Sequence, residues 1–209
     1  IHCGKRECGS GSEKSVWIMK NIVRQVFLLF EDISWNCSCR YNFMLYGPYG
    51  LSGVIERMPA YFIIKYLRKY GATIGKGCLI EKGLNLHRPG EEKPFQNLVV
   101  GANVYIGHKT KIDLSRKVII HDHVIIGSQC MLWTHASDYV SENSIHIYKE
   151  YYGEIEIFEY SLIFSGVIIS YGVTVGSNIK IGAGSMVNRS LENKGFYGGV
   201  PVRLIDKTA

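Results

Sequence analysis

Aliphatic residues recur along most of this chain at a spacing of six. Ile157, Ile163, Ile169, Val175, Ile181 and Val187 form one run, and Val100, Ile106 and Ile112 form another. Two extra residues around Arg116 shift the frame before Ile120, Ile126 and Leu132 resume it, and Ile74, Ile80 and Leu86 keep the same step earlier. The residue after each is often small, as at Ser170, Gly176 and Gly182. The position four beyond is again apolar or small, as at Val167, Val173, Ile179 and Ser185. A period of six is neither the two of a strand nor the 3.6 of a helix, so each hexad reads as a short extended segment followed by a corner. Glycine and asparagine suit such corners, because most other residues rarely adopt positive φ. Three hexads close a triangular coil, and stacked coils bury an aliphatic column that no single coil buries alone. The pattern predicts a mainly β chain built as a parallel β-helix.

Different patterns flank this region. Residues 1–18 are poorly patterned, and Met19 stands either as an internal start or as the edge of a leader, so this stretch is left out of the fold. From Trp17 to Phe30, apolar residues at 18, 19, 22, 23, 26, 27, 29 and 30 trace a helical stripe, interrupted by Lys20 and Arg24. Such a stripe docks on the β-helix or on a membrane surface. The longest apolar runs, Val26–Phe30 and Tyr61–Ile64, fall far short of the roughly 18 residues that span a bilayer. A loop at Tyr46–Gly53 precedes a second helix over about Pro59–Tyr70, stopping before Gly71. The expected organisation is an N-terminal extension over 1–70 with two helices, then a β-helix domain over 71–209. The coils are interrupted at His87–Gln96, and again by a protruding excursion from Thr134 to Glu156 carrying Tyr139, Tyr148, Tyr151 and Tyr152. A loop that long in a compact domain is usually functional or disordered.

Composition adds less. Of 209 residues 23 are glycine, about 11% where about 7% is usual. A net charge of +6 favours anionic ligands, but the basic residues are scattered and no stacking motif accompanies them, which argues against nucleic acid. Cysteines at 3, 8, 37, 39, 78 and 130 show neither paired CxxC units nor disulfide-scaffold density, so a reducing cytoplasm is expected.

Over residues 71–206 the chain resembles the hexapeptide-repeat acyltransferases. The similarity rests on Ile181-Gly-Ala-Gly-Ser-Met-Val187 followed by Gly199-Val-Pro-Val-Arg203-Leu-Ile205, which resemble the family's closing coil and tail. The maltose, galactoside and bacterial polysaccharide O-acetyltransferases are most similar, and Gly71-Ala-Thr-Ile-Gly75 with Leu86-His-Arg-Pro89 resembles the polysaccharide branch. The resemblance implies left-handed coiling, which periodicity alone does not give. It further implies a homotrimer, acetyl-coenzyme A as donor with no metal, and transfer to a sugar hydroxyl in polysaccharide biosynthesis. By the same resemblance, Trp133-Thr-His135-Ala-Ser-Asp138 carries the catalytic motif. His135 is then the general base, its neutral imidazole suited to removing a hydroxyl proton. Asp138 either orients the imidazole or caps a turn. The donor-binding positions that match are Ser165, Ala183, Asn188, Arg189, Pro201 and Arg203; small residues there either admit the cofactor or serve corner geometry. Asp113, one coil below His135, either accepts sugar hydroxyls or bonds a corner amide. Departures from the family are Asp206 then Lys207 after the tail arginine, and Leu162 where an aromatic is common.

Other readings remain. His121-x-His123 with His108 and His135 offers a weak zinc-type set. Cys130, at an inward position four after Ile126, is either a nucleophile or an apolar filler. A serine or amino-sugar N-acyltransferase shares the base and donor, and a non-catalytic β-helix scaffold shares only the fold.

Overall fold

The computed structural model describes residues 11–142 and 145–206. The stretch before Gly11, Lys207 and the Tyr139 side chain lie outside the described residues. The chain divides into two compact units with a boundary between Ser38 and Cys39.

In the larger unit the hexads become coils whose strands form three walls. The first coil carries β1 (Thr73–Ile74), β2 (Leu79–Ile80) and β3 (Asn85–His87). The second carries β4 (Leu98–Val100), β5 (Tyr105–Ile106) and β6 (Lys111–Asp113), and the third β7 (Val118–Ile120), β8 (Ile125–Ile126) and β9 (Met131–Leu132). The excursion follows as an antiparallel ribbon of β10 (His135–Glu142) and β11 (Ile145–Tyr152). The fourth coil, β12 (Ile155–Ile157), β13 (Leu162–Ile163) and β14 (Ile168–Ile169), leads to the fifth, β15 (Thr174–Val175), β16 (Ile179–Ile181) and β17 (Met186–Val187). Strands β18 (Gly195–Gly198) and β19 (Arg203–Asp206) close the end of the second wall.

Across the five coils every wall is parallel, with β19 alone antiparallel at the end of the second, and the register aligns the aliphatic position of each coil. Ile74, Val100, Ile120, Ile157 and Val175 stack on the first wall. Ile80, Ile106, Ile126, Ile163 and Ile181 stack on the second, and Leu86, Ile112, Leu132, Ile169 and Val187 on the third. All of these are buried. The corners differ from the sequence expectation. On the first and second walls the third residue after each inward aliphatic has positive φ, but beside Gly77, Asn103 and Asn178 this position holds Lys109, His123, Gln129 and Tyr160. The left-handed region costs such residues about 1–2 kcal/mol, and the coil offsets it through backbone bonds to the coil below, such as His123 N–H to Ala102 O at 2.9 Å. His123 and Tyr160 also stack, with ring centroids 4.9 Å apart.

The helices are α1 (Gly11–Arg57) and α2 (Ala60–Lys69). Where the sequence suggests a loop at Tyr46–Gly53, α1 continues through a kink. Gly47 sits at φ 60°, and Pro48, lacking an N–H, restarts the helix beyond it. Helix α2 ends at Tyr70, before Gly71 at φ 108°. It packs on the first coil, where the Arg68 guanidinium donates to Ile74 O at 2.8 Å and Gly75 O at 2.8 Å, so α2 caps carbonyls at the open end of the prism. In the smaller unit Trp17, Ile22, Val26 and Phe30 are exposed. Among the described residues no helix is long and apolar enough to cross a membrane.

Because Ile163 lies in the middle of its column with no exposure, Ile163→Ala is expected to lower unfolding free energy by about 2–5 kcal/mol. Lys180→Ala, exposed on the same wall, should change it by less than about 0.5 kcal/mol. Urea unfolding of both variants checks this, and equal effects would contradict a continuous core.

Candidate active site

The pair His135 and Asp113 is assembled by coil stacking. Asp113 ends β6 and His135 opens β10, the first residue of the ribbon that leaves the prism after the third coil. Nδ1 of His135 lies 2.7 Å from Asp113 Oδ2, with the imidazole 12% exposed and the carboxylate fully buried. Asp113 accepts further bonds from the Thr134 N–H at 3.0 Å, from the Thr134 hydroxyl and from the Ser115 hydroxyl at 3.0 Å. Burial alone would push its carboxyl up, but the hydrogen bonds from His135, Thr134 and Ser115 outweigh burial and hold it below the usual carboxylate range. An ionised carboxylate is an acceptor only, so Nδ1 carries a proton, and in the neutral form of the ring Nε2 is the nitrogen with the free lone pair.

The frame shift around Arg116 has a structural role. Between β6 and β7 the added residues form a turn that delivers the Ser115 hydroxyl to Asp113 and the Arg116 N–H to Thr134 Oγ1 at 3.1 Å. The Arg116 guanidinium lies 4.4 Å from the centroid of the Tyr152 ring, which in turn stands 6.4 Å from His135. Arg88 reaches from the interruption after β3 to Glu150 on β11 at 2.8 Å, and Glu150 accepts from the Tyr152 hydroxyl. The root of the ribbon is thus fastened to the first three coils by side chains.

His87 and Trp133 complete the surroundings. The His87 ring stacks on His135 with centroids 5.7 Å apart and 23° between planes, and Trp133 meets both edge-on. Burial holds His87 below the ordinary histidine value, helped by His135, Arg88 and Lys111 and opposed by Asp113. At neutral pH an uncharged His87 ring therefore stacks on the His135 imidazole. Sequence reading did not single out His87 as a site residue, although the hexad count contains the signal. Leu86, Ile112 and Leu132 share one column, so the residues after them, His87, Asp113 and Trp133, occupy one edge.

The remaining sequence candidates fall in separate places. Asp138 is exposed on β10, opposite Lys149. An offset of three along a strand puts it on the other face from His135. Ser165 and Ala183 occupy successive levels of the corner between the second and third walls, with Gly184 N–H bonded to Ser165 O at 3.0 Å. Pro201 and Arg203 belong to the tail, which bonds to Met186 through Val202 N–H at 2.9 Å. Asn188 and Arg189 are exposed on the next corner, after the third wall. Cys130 is buried with its thiol 3.2 Å from Phe164 O, and burial raises its pKa. His121 pairs with Glu156 at 2.8 Å and His108 with Glu81 at 3.6 Å. Among the described residues no group of three or more His, Cys, Asp or Glu is placed to hold a metal ion.

No family model matches the chain. It is 29% identical over 144 residues to the galactoside O-acetyltransferase of Escherichia coli (strain K12), covering 66% of this chain and 65% of that protein. The chain therefore spans just under two thirds of that relative's length. Among solved structures, a hexapeptide-repeat acetyltransferase from Vibrio cholerae O1 biovar eltor, complexed with acetyl coenzyme A, superposes with a TM-score of 0.64 at 19% identity. That match covers 78% of this chain and 87% of that one. A galactoside acetyltransferase in complex with coenzyme A superposes with a TM-score of 0.59 at 25% identity, covering 69% and 70%. The fold is the left-handed hexapeptide-repeat β-helix.

The depressed Asp113 pKa has a signed consequence. A carboxyl whose folded value lies below its unfolded value of about 3.9 adds stability above that pH and loses it as pH falls through the folded value. Asp113→Asn is expected to cost about 3 kcal/mol at pH 7. The gap from wild type should narrow below about pH 4. Urea unfolding at several pH values checks this, and a gap independent of pH would contradict an ionised Asp113.

Proposed function

We propose that this chain, a hexapeptide-repeat protein of the acyltransferase family by its relatives and its fold, transfers acetyl from acetyl-coenzyme A to a sugar hydroxyl. The observation that carries the reading is the His135–Asp113 pair at the root of the ribbon. Asp113 fixes the tautomer and orientation of the ring. His135 Nε2 accepts the acceptor's hydroxyl proton as that oxygen attacks the thioester carbonyl, and returns the proton to the departing thiolate. The thioester is already activated, so no covalent enzyme intermediate is required. Holding two substrates beside a base supplies much of the acceleration.

The relatives support the donor, since two of the similar structures hold coenzyme A or its acetyl form. In this reading Ser165 and Ala183 flank the pantetheine arm, where small side chains let it approach the backbone, and Arg203 with Pro201 lies towards the phosphates. Asn188 and Arg189 sit on the next corner and serve the donor only from there. Asp113 acts here on the base rather than on the sugar, and Asp138 lies outside the reacting centre. The proposed setting is bacterial polysaccharide biosynthesis in the cytoplasm, by a homotrimer with three equivalent sites.

Titration of the purified protein with acetyl-coenzyme A should give saturable binding near one site per chain. His135→Ala should lower kcat by about 10²- to 10⁴-fold and leave donor affinity within about twofold. A folded protein that binds no donor would overturn the reading. Light scattering is expected to give a trimer, and a monomer would remove the proposed assembly.

A further inference from the structure

A second feature of the third wall lies beside His135. A cavity of about 1180 Å³ opens over the outer face of the first three coils, between that wall and the last turn of α1. Arg57, Lys82, Lys109 and Lys111 line it, against Glu56 as the sole lining carboxylate. Glu56 is engaged, accepting from Asn85 Nδ2 at 2.8 Å. Among the described residues none of these cations has a carboxylate partner, and Lys111 instead places its ammonium 5.3 Å over the Trp133 ring. A concave surface that collects unpaired cations concentrates field on an anion.

Position decides which anion. Along each strand of this wall the side chain before the inward aliphatic faces out, so Asn85, Lys111 and Met131 form the cavity floor. Two residues further on, about 7 Å along an extended chain, come His87, Asp113 and Trp133. The cavity also occupies the levels of coils one to three, whereas the donor positions Ser165 and Ala183 belong to coils four and five. His135 leaves the prism between these two sets. We propose that the cavity binds the phosphate of a phosphorylated sugar acceptor, as a monoester or a diphosphate, while its sugar hydroxyl lies at His135. This names the acceptor class for the function proposed above and rests on it. It separates this chain from a protein that acetylates only neutral glycosides. The lysines serve as point charges for phosphate and Arg57 as a forked donor. Arg57 also offsets the unfavourable dipole of the α1 C-terminus.

The test is calorimetry on the full chain saturated with coenzyme A, titrated with inorganic pyrophosphate and separately with inorganic phosphate. Saturable binding of either is expected, tighter for pyrophosphate if the linkage is a diphosphate. The variant Lys82→Gln/Lys109→Asn, with asparagine chosen because Lys109 has φ 55°, should weaken it about tenfold or more. Arg57→Gln, made separately, should weaken it as well. Coenzyme A affinity should stay unchanged in every variant, which also certifies their fold. Anion binding that coenzyme A abolishes, or variants that weaken coenzyme A equally, would assign these cations to the donor and overturn the proposal. So would an absence of anion binding to the saturated wild type. Loss of coenzyme A binding by the wild type is read separately and would instead remove the acyl-transfer reading.

Discussion

One aliphatic side chain per hexad, stacked on its counterpart in the next coil, sets the height of every other residue on the prism. The column resists slip, because a shift of one residue along a strand would turn its buried aliphatic outward and break the alignment of the aliphatic positions across the coils. Residues distant in sequence are held at adjacent levels for this reason. Asp113 and His135 are 22 positions apart, yet they meet at 2.7 Å because Ile112 and Leu132 are partners across the third wall.

That rigidity lets a buried carboxylate survive beside the imidazole. Removing Asp113 from water is costly unless its lone pairs are used. The turn at Ser115, the backbone and hydroxyl of Thr134 and the His135 ring use them. Each donor comes from an element whose position is fixed by the coils, so little ordering entropy remains to be lost when the site forms. The root of the ribbon is fastened instead by side chains nearer the surface, Arg88 with Glu150 and Arg116 over Tyr152.

The outer face of the third wall is then divided by level. Small residues such as Ser165 and Ala183 occupy the corners of the upper coils, while the lower coils and the end of α1 enclose a cationic hollow. Both features follow from what each coil places before or after its inward aliphatic. A coil protein can therefore vary its outer surface level by level without disturbing its core.

Periodicity by itself determined the coils, the three inward columns and the places where the coils are interrupted, because a spacing of six leaves the chain no other way to bury its aliphatic residues. It also placed His135 at the root of the longest interruption. Corner chemistry was only partly legible: glycine and asparagine mark some turns, but Lys109 and Tyr160 take positive φ because backbone bonds and ring stacking across coils compensate, and those are not written locally. The kink at Gly47 reads as a loop until the helix is seen to restart at Pro48. Tertiary structure alone decided the partner of His135. Asp138 is nearer along the chain, but strand alternation sends it to the opposite face. Asp113 reaches the ring through the stacking of coils, an arrangement fixed by long-range register rather than by any local spacing.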